Sequence, residues 1–300
     1  MQSSSSTTGG VLPLVFCALL WSTGGVLVKL VSWNPFAIAG MRSLIGLITV
    51  CVMLRRLPSF TVRDEECGRT DRRRTLYLYI AAACYAGTMI LYIVANKLTT
   101  AANTILLEYT DPVYIILFSP LILGEKNRKS DYVTVAGVVL GMILFFADGL
   151  GSGRMLGNIL AAFSGMTWGF CTIYMRKLNR RGAQNAFMLS HIMTFLAGVP
   201  FIFIYGLPSR NVIVSSCIGL ILLGVFQIGM PSILYARGIG SVRALSASFI
   251  SMVEPLMNPV WVLLFMGEVP SVWTCTGGAV ILGCIIGREL VQRRRVIEKK

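Results

Sequence analysis

The chain has 300 residues, of which 55% are apolar and only 13% charged, with a formal net charge of +14. A soluble domain carries about 25% charged residues, so an ordinary cytosolic enzyme or a nucleic-acid binder is excluded. Ten spans of ~20 residues would occupy about 200 positions, which leaves only short loops and no soluble domain.

Residues 1–10 are rich in Ser, Thr and Gly and contain no basic residue, unlike the start of a cleaved signal peptide. Ten apolar segments follow at 11–31, 35–54, 76–94, 100–123, 132–146, 155–175, 187–205, 212–234, 244–265 and 272–286. The break at Asn96-Lys97 separates the third from the fourth; without it, 76–123 would be one impossibly long span. Residues 288–300 form a basic tail.

The basic residues alternate by loop. The loops after the second, fourth, sixth and eighth spans, with the C-terminal tail, hold 22 of the 27 Lys and Arg. The opposite loops hold Lys97, Arg154 and Arg210, and two more, Lys29 and Arg42, sit inside spans. This asymmetry predicts that both termini are cytoplasmic.

The sequence also repeats itself. Asp111-Pro112 and Gly124-Glu125 recur as Glu254-Pro255 and Gly267-Glu268, 143 residues later in both cases. Tyr92 and Tyr235 share that shift, and Trp21 is echoed by Trp168. Two five-span halves, 11–149 and 150–287, follow. An odd number of spans per half makes the halves inverted, the architecture of secondary transporters with a site near the midplane.

Trp21 and Lys29 in the first span, Arg42 in the second, and the paired acid–Pro and Gly–Glu motifs resemble the drug/metabolite transporter superfamily, EamA branch, over almost the whole chain. The resemblance implies an all-α integral membrane protein of ten transmembrane helices in two inverted five-helix repeats. It further implies a carrier, usually an exporter, of amino acids, amines or other small solutes. The expectation is therefore secondary active export across a cytoplasmic membrane by alternating access, coupled to a proton or counter-solute. Nucleotide-sugar or phosphate-ester transport and lipid or head-group flipping stay open; a channel or membrane-embedded enzyme ranks below them.

The candidate site residues are polar or aromatic groups inside the spans. An intramembrane charge needs a partner, water or a route to the surface. Lys29 lies near a span end and has two readings, snorkelling to the headgroups or facing inward. Arg42 is about 10 Å deep at 1.5 Å per residue, so it faces the bundle, where it pairs with an acid or grips an anionic group of the solute. Glu108 and Asp111 share a helical face. They and Glu254 read as counter-ions, as proton sites, or, for the two acid–Pro pairs, as caps of helices that restart in the membrane. Glu254, Asn258 and Trp261 form one stripe, either cavity lining or helix contact. Trp21 and Trp168 are cavity candidates, with Tyr85, Tyr109 and Tyr235 weaker ones. His191, the single histidine, reads as a satisfied interior group or a proton relay.

One histidine and eight cysteines without a C-x-x-C pair give no metal or redox site. The cysteines read as small buried residues. No cofactor is expected, no P-loop is present, and the partners are a solute, the lipid bilayer and a coupling proton or counter-solute. Oligomeric state is not encoded in any pattern here.

Overall fold

Asparagine and aspartate punctuate the helices. The computed structural model describes residues 5–24, 27, 31–63, 68–99, 101–149, 155–206, 212–266 and 269–297, without the side chains of 97, 101, 102, 258, 262 and 266 and of some residues near both termini. The helices are α1 (Ser5–Ser22), α2 (Pro35–Leu54), α3 (Arg72–Leu98), α4 (Ala101–Glu108), α5 (Asp111–Leu123), α6 (Lys129–Phe145), α7 (Met155–Lys177) and α8 (Arg180–Tyr205). Next come α9 (Ile213–Leu222), a π-helical turn (Leu223–Gly229), α10 (Met230–Gly238), α11 (Ala244–Ser251), α12 (Val253–Met266) and α13 (Val272–Ile297). Asn34 caps α2 by accepting the Phe36 N–H at 3.0 Å, with Pro35 in the first turn. Asp71 and Asn179 do the same for α3 and α8, at 3.0 and 2.8 Å. A side-chain oxygen at this place satisfies one of the otherwise orphaned N–H groups of the first turn.

Among the described residues no strand occurs, and seven helical runs are long and apolar enough to cross a bilayer, with shorter apolar helices beside them. The outward faces are apolar: Phe203 is 83% and Leu121 80% exposed. In water such faces would be sticky patches, whereas lipid is their natural solvent. The chain is an all-helical integral membrane protein.

Two predicted spans are each broken in the middle. The fourth stops at Glu108 and restarts at Asp111; the ninth stops at Ser251 and restarts at Val253. Both breaks fall just before the acid–Pro pair, because proline supplies no N–H to the preceding turn and disfavours helix before it. The capping expectation for Asp111 does not hold. Thr110 occupies the cap position of α5 without a side-chain bond, and the Asp111 carboxylate instead accepts the Ser248 hydroxyl of α11. The seven described cysteines are free, but Cys217 and Cys275 are exposed on outward faces rather than buried, and Cys67 lies outside the described residues. In lipid an exposed thiol carries little penalty, so burial is not enforced there.

Close backbone approach joins α2 to α8. A Cβ on Gly198 would lie 2.6 Å from Gly40 Cα and 2.8 Å from Phe36 O. Small residues of this kind let membrane helices pack by van der Waals contact where no hydrophobic drive separates helix from lipid. A core of Leu14, Cys17, Trp21, Tyr85, Trp168, Phe187 and Tyr235, among others, then joins α1, α3, α7, α8 and α10.

Candidate functional site

A cavity of about 600 Å³ lies where α1, α2, α3, α4, α7, the π-turn, α11 and α12 meet. It runs from Pro35, at the start of α2, and Asn96, near the end of α3, down to Trp21 and Trp168. Those two ends adjoin loops with few basic residues.

The floor is aromatic. Trp21 and Trp168 meet edge to face with ring centroids 5.4 Å apart, and each lies 5.3–5.6 Å from Tyr235. Tyr85 packs 5.7 Å from Trp168 and 4.9 Å from Phe187. Such pairs contribute about 0.5–1.5 kcal/mol each beyond their burial, so the floor is a rigid plug. Tyr235 lies fully buried beneath it, its hydroxyl 2.8 Å from Thr172 Oγ1, and does not line the cavity.

The walls carry the charge. Arg42 projects from α2; its Nη1 donates to Gln227 Oε1 at 3.3 Å and its Nη2 faces Met89 Sδ at 3.5 Å. Its Nε has no hydrogen-bond partner. Among the described residues, no carboxylate lies within ion-pair distance of this guanidinium. Glu108 and Glu254, from the two broken spans, line the same cavity. Glu108 accepts the Ser164 hydroxyl at 3.3 Å. Among the described residues, one cationic and two carboxylate side chains therefore line a common space with no ion pair between them.

Of the sequence candidates, the cavity brings together Trp21, Arg42, Tyr85, Glu108, Trp168 and Glu254. Asp111 is buried away from it against Ser248, and its second oxygen has no partner. His191 stands behind the wall. Ser232 gives its proton to the Ile228 carbonyl at 2.7 Å, so His191 Nε2 donates to Ser232 Oγ at 3.1 Å. One ring nitrogen is thus partnered inside the protein, and His191 does not line the cavity. Lys29 and the Asn258 side chain lie outside the described residues. Trp261 takes the contact role in its stripe, its Nε1 donating to Ser22 Oγ at 2.8 Å, while Glu254 takes the lining role.

Five lining residues of α3 were missed: Thr88, Met89, Tyr92, Ile93 and Asn96. With Tyr85 they recur every three or four residues, a mostly polar stripe along an apolar helix. That periodicity was the available signal.

At the far end of the molecule a second set of charges is fully paired. Asp131, buried at the start of α6, accepts Arg288 Nε at 2.8 Å, Arg243 Nη1 at 3.2 Å and the Arg128 N–H at 2.9 Å. Glu125 accepts Arg176 Nε and the Ala244 N–H, both at 3.2 Å. Burial works to raise the Asp131 carboxyl, but the bonds from the Arg128 N–H and Arg288 outweigh it and hold the group below the usual aspartate value. Gly124, at φ 72°, ends α5 in the left-handed region and so turns Glu125 towards these partners. The acids belong to the N-terminal half of the chain and their arginines to the C-terminal half, on the side of the basic loops.

Known proteins resemble this chain along almost its whole length. An uncharacterized transporter of Archaeoglobus fulgidus is 26% identical over 92% of this chain and 95% of its own. The pseudopaline exporter CntI of Pseudomonas aeruginosa is 24% identical over 92% and 94%. The human solute carrier family 35 member G1 is 20% identical over 94% and 79%. A crystal structure of a protein 20% identical in sequence superposes with a TM-score of 0.80, covering 98% of this chain and 99% of that one, so the fold is shared. The EamA-like transporter family profile matches residues 8–147 and again 155–287, and the chain belongs to that family.

Proposed function

We propose that this chain is a secondary carrier that exports a small organic solute across a cytoplasmic membrane by alternating access. Two inverted halves, 11–149 and 150–287, enclose the solute, with both termini cytoplasmic. The observation that carries this reading is the cavity itself. Trp21, Arg42, Tyr85 and Glu108 come to it from one half, Trp168, Gln227 and Glu254 from the other, so relative motion of the halves remakes the site.

The lining suits a solute with an anionic end on Arg42, a cationic nitrogen between Glu108 and Glu254, and an apolar body against Trp21 and Trp168. Lining carboxylates outnumber the described lining cations, which disfavours nucleotide sugars and phosphate esters. Glu108 and Glu254 are the groups placed to exchange a coupling proton for the solute's cation. The cavity reaches the sparsely charged helix ends, while the aromatic floor and the Glu125–Asp131 network close the opposite side, the arrangement of an outward-facing carrier. That the Pseudomonas aeruginosa relative is a pseudopaline exporter supports efflux as the direction.

The test is reconstitution in liposomes with a panel of amino acids, amines and organic anions under an imposed pH gradient. Saturable solute flux with accompanying proton movement is expected. Non-saturating flux favours a channel, and chemical conversion of the solute favours an enzyme.

A further inference from the structure

Arg42 needs an explanation that the carrier reading alone does not give. A guanidinium among apolar helices ordinarily takes a carboxylate partner, and two carboxylates line the same cavity. Its nearest acceptors are nonetheless neutral: the Gln227 amide oxygen at 3.3 Å and the Met89 thioether at 3.5 Å. Neutral acceptors orient a guanidinium but leave its charge in place for another anion.

We propose that Gln227 is a positioning residue: its amide oxygen holds the Arg42 guanidinium towards the cavity without cancelling its charge, which gives the site its preference for solutes with an anionic group. This inference rests on the carrier reading above and on three further observations. Gln227 sits in the π-turn Leu223–Gly229, a geometry that adds a residue to a helical turn and occurs mostly as single turns at functional sites. That turn is pressed onto α2: a Cβ on Gly224 would stand 3.1 Å from the Arg42 carbonyl oxygen. The backbone carrying Gln227 and the backbone carrying Arg42 are thus in direct contact. From the other side Gly24, just past the end of α1, is a position where a Cβ would come within 3.0 Å of Gln227 Nε2. The absence of a side chain there leaves room for the amide, which is held between Gly24 and α2.

Glutamate has the shape of glutamine and differs in charge, so it separates positioning from packing. In the purified full chain, phenylglyoxal, which modifies accessible guanidinium groups, is applied to the unaltered protein and to Gln227→Glu. Modification of Arg42 is followed by peptide mass spectrometry. The carboxylate forms a charge-assisted pair with Arg42, so labelling slows by about tenfold or more, with the melting temperature preserved. Binding of phenylalanine and phenethylamine, which differ only by the carboxylate, is read from tryptophan fluorescence, since Trp21 and Trp168 line the cavity. The unaltered protein prefers phenylalanine; Gln227→Glu loses that preference and keeps the amine. Gln227→Ala weakens phenylalanine binding, and Gln227→Asn restores part of it.

Equal labelling of Arg42 in both proteins, or a carboxylate preference that survives Gln227→Glu, overturns the inference. Absence of any preference in the unaltered protein overturns it too. Failure of the carrier reading has a different signature: Arg42 labelling and carboxylate preference both respond to Gln227→Glu, yet liposomes move no solute.

Discussion

The two charge clusters of this protein use the same residue types in opposite ways. At the basic-loop end, Asp131 accepts three donors and Glu125 two, and Arg288 is almost completely buried between Asp131 and the face of Phe249. Around the cavity, Arg42 has neutral acceptors only and Glu108 has one hydroxyl donor at 3.3 Å. A paired charge in an apolar setting holds helices together, whereas an unpaired one destabilises the empty protein and is retained for what it binds. Under the proposed function, partnering is what separates the charges of the basic-loop end from Arg42 and Glu108 at the cavity.

The comparison breaks most sharply on function. Glu108→Gln is expected to abolish transport while leaving the melting temperature equal or higher, because a charge is removed from an apolar wall. Flux into proteoliposomes and thermal unfolding in detergent are the two readouts, and normal flux would place Glu108 with the structural charges. Arg288→Ala is expected to do the reverse. It leaves Asp131 buried without its 2.8 Å partner, at a cost of about 3–5 kcal/mol, seen as a large drop in melting temperature. Arg243 and the Arg128 N–H remain, which puts the effect at the lower end of that range.

Gly198→Ala probes packing away from both clusters. Its methyl would meet the backbone of α2 at 2.6–2.8 Å, and overpacking of this type costs about 1–3 kcal/mol. An unchanged melting temperature would mean that α2 and α8 are free to separate. The smallest expected effect is in acid. The folded state holds the Asp131 carboxyl below its unfolded value, so its stabilising contribution is complete above about pH 4 and fades as the pH falls below that. Asp131→Asn should therefore lower stability at neutral pH and flatten the acid limb of the melting curve, and an acid limb identical to that of the unaltered protein would detach Asp131 from acid sensitivity.

Much of the fold was legible because its punctuation is chemical. The second span was expected at 35–54 and is found at Pro35–Leu54, since Asn34-Pro35 starts a helix and Arg55-Arg56 ends the apolar run. The seventh begins seven residues earlier than expected, at Arg180. Its first turns are polar, but Gln184 and Asn185 are buried there as acceptors for Arg56 at 2.9 and 2.8 Å, a long-range match that hydropathy does not see. The tenth runs on to Ile297 because arginine and glutamate are good helix formers outside the membrane as well as in. The π-turn was hidden, since one inserted residue does not disturb a continuous apolar pattern. Of the site, the intramembrane charges Arg42, Glu108 and Glu254 stood out by cost alone. Asp111 looked identical to them in sequence, and only the position of Ser248 on a helix 137 residues away separates it from the cavity.

The most direct test of the account is Arg42→Ala, measured for flux in proteoliposomes and for melting temperature in the same preparation. The account predicts a protein that inserts and melts like the unaltered one, or slightly higher, and moves no solute. Undiminished flux, or a collapse in stability comparable to that of Arg288→Ala, would contradict it.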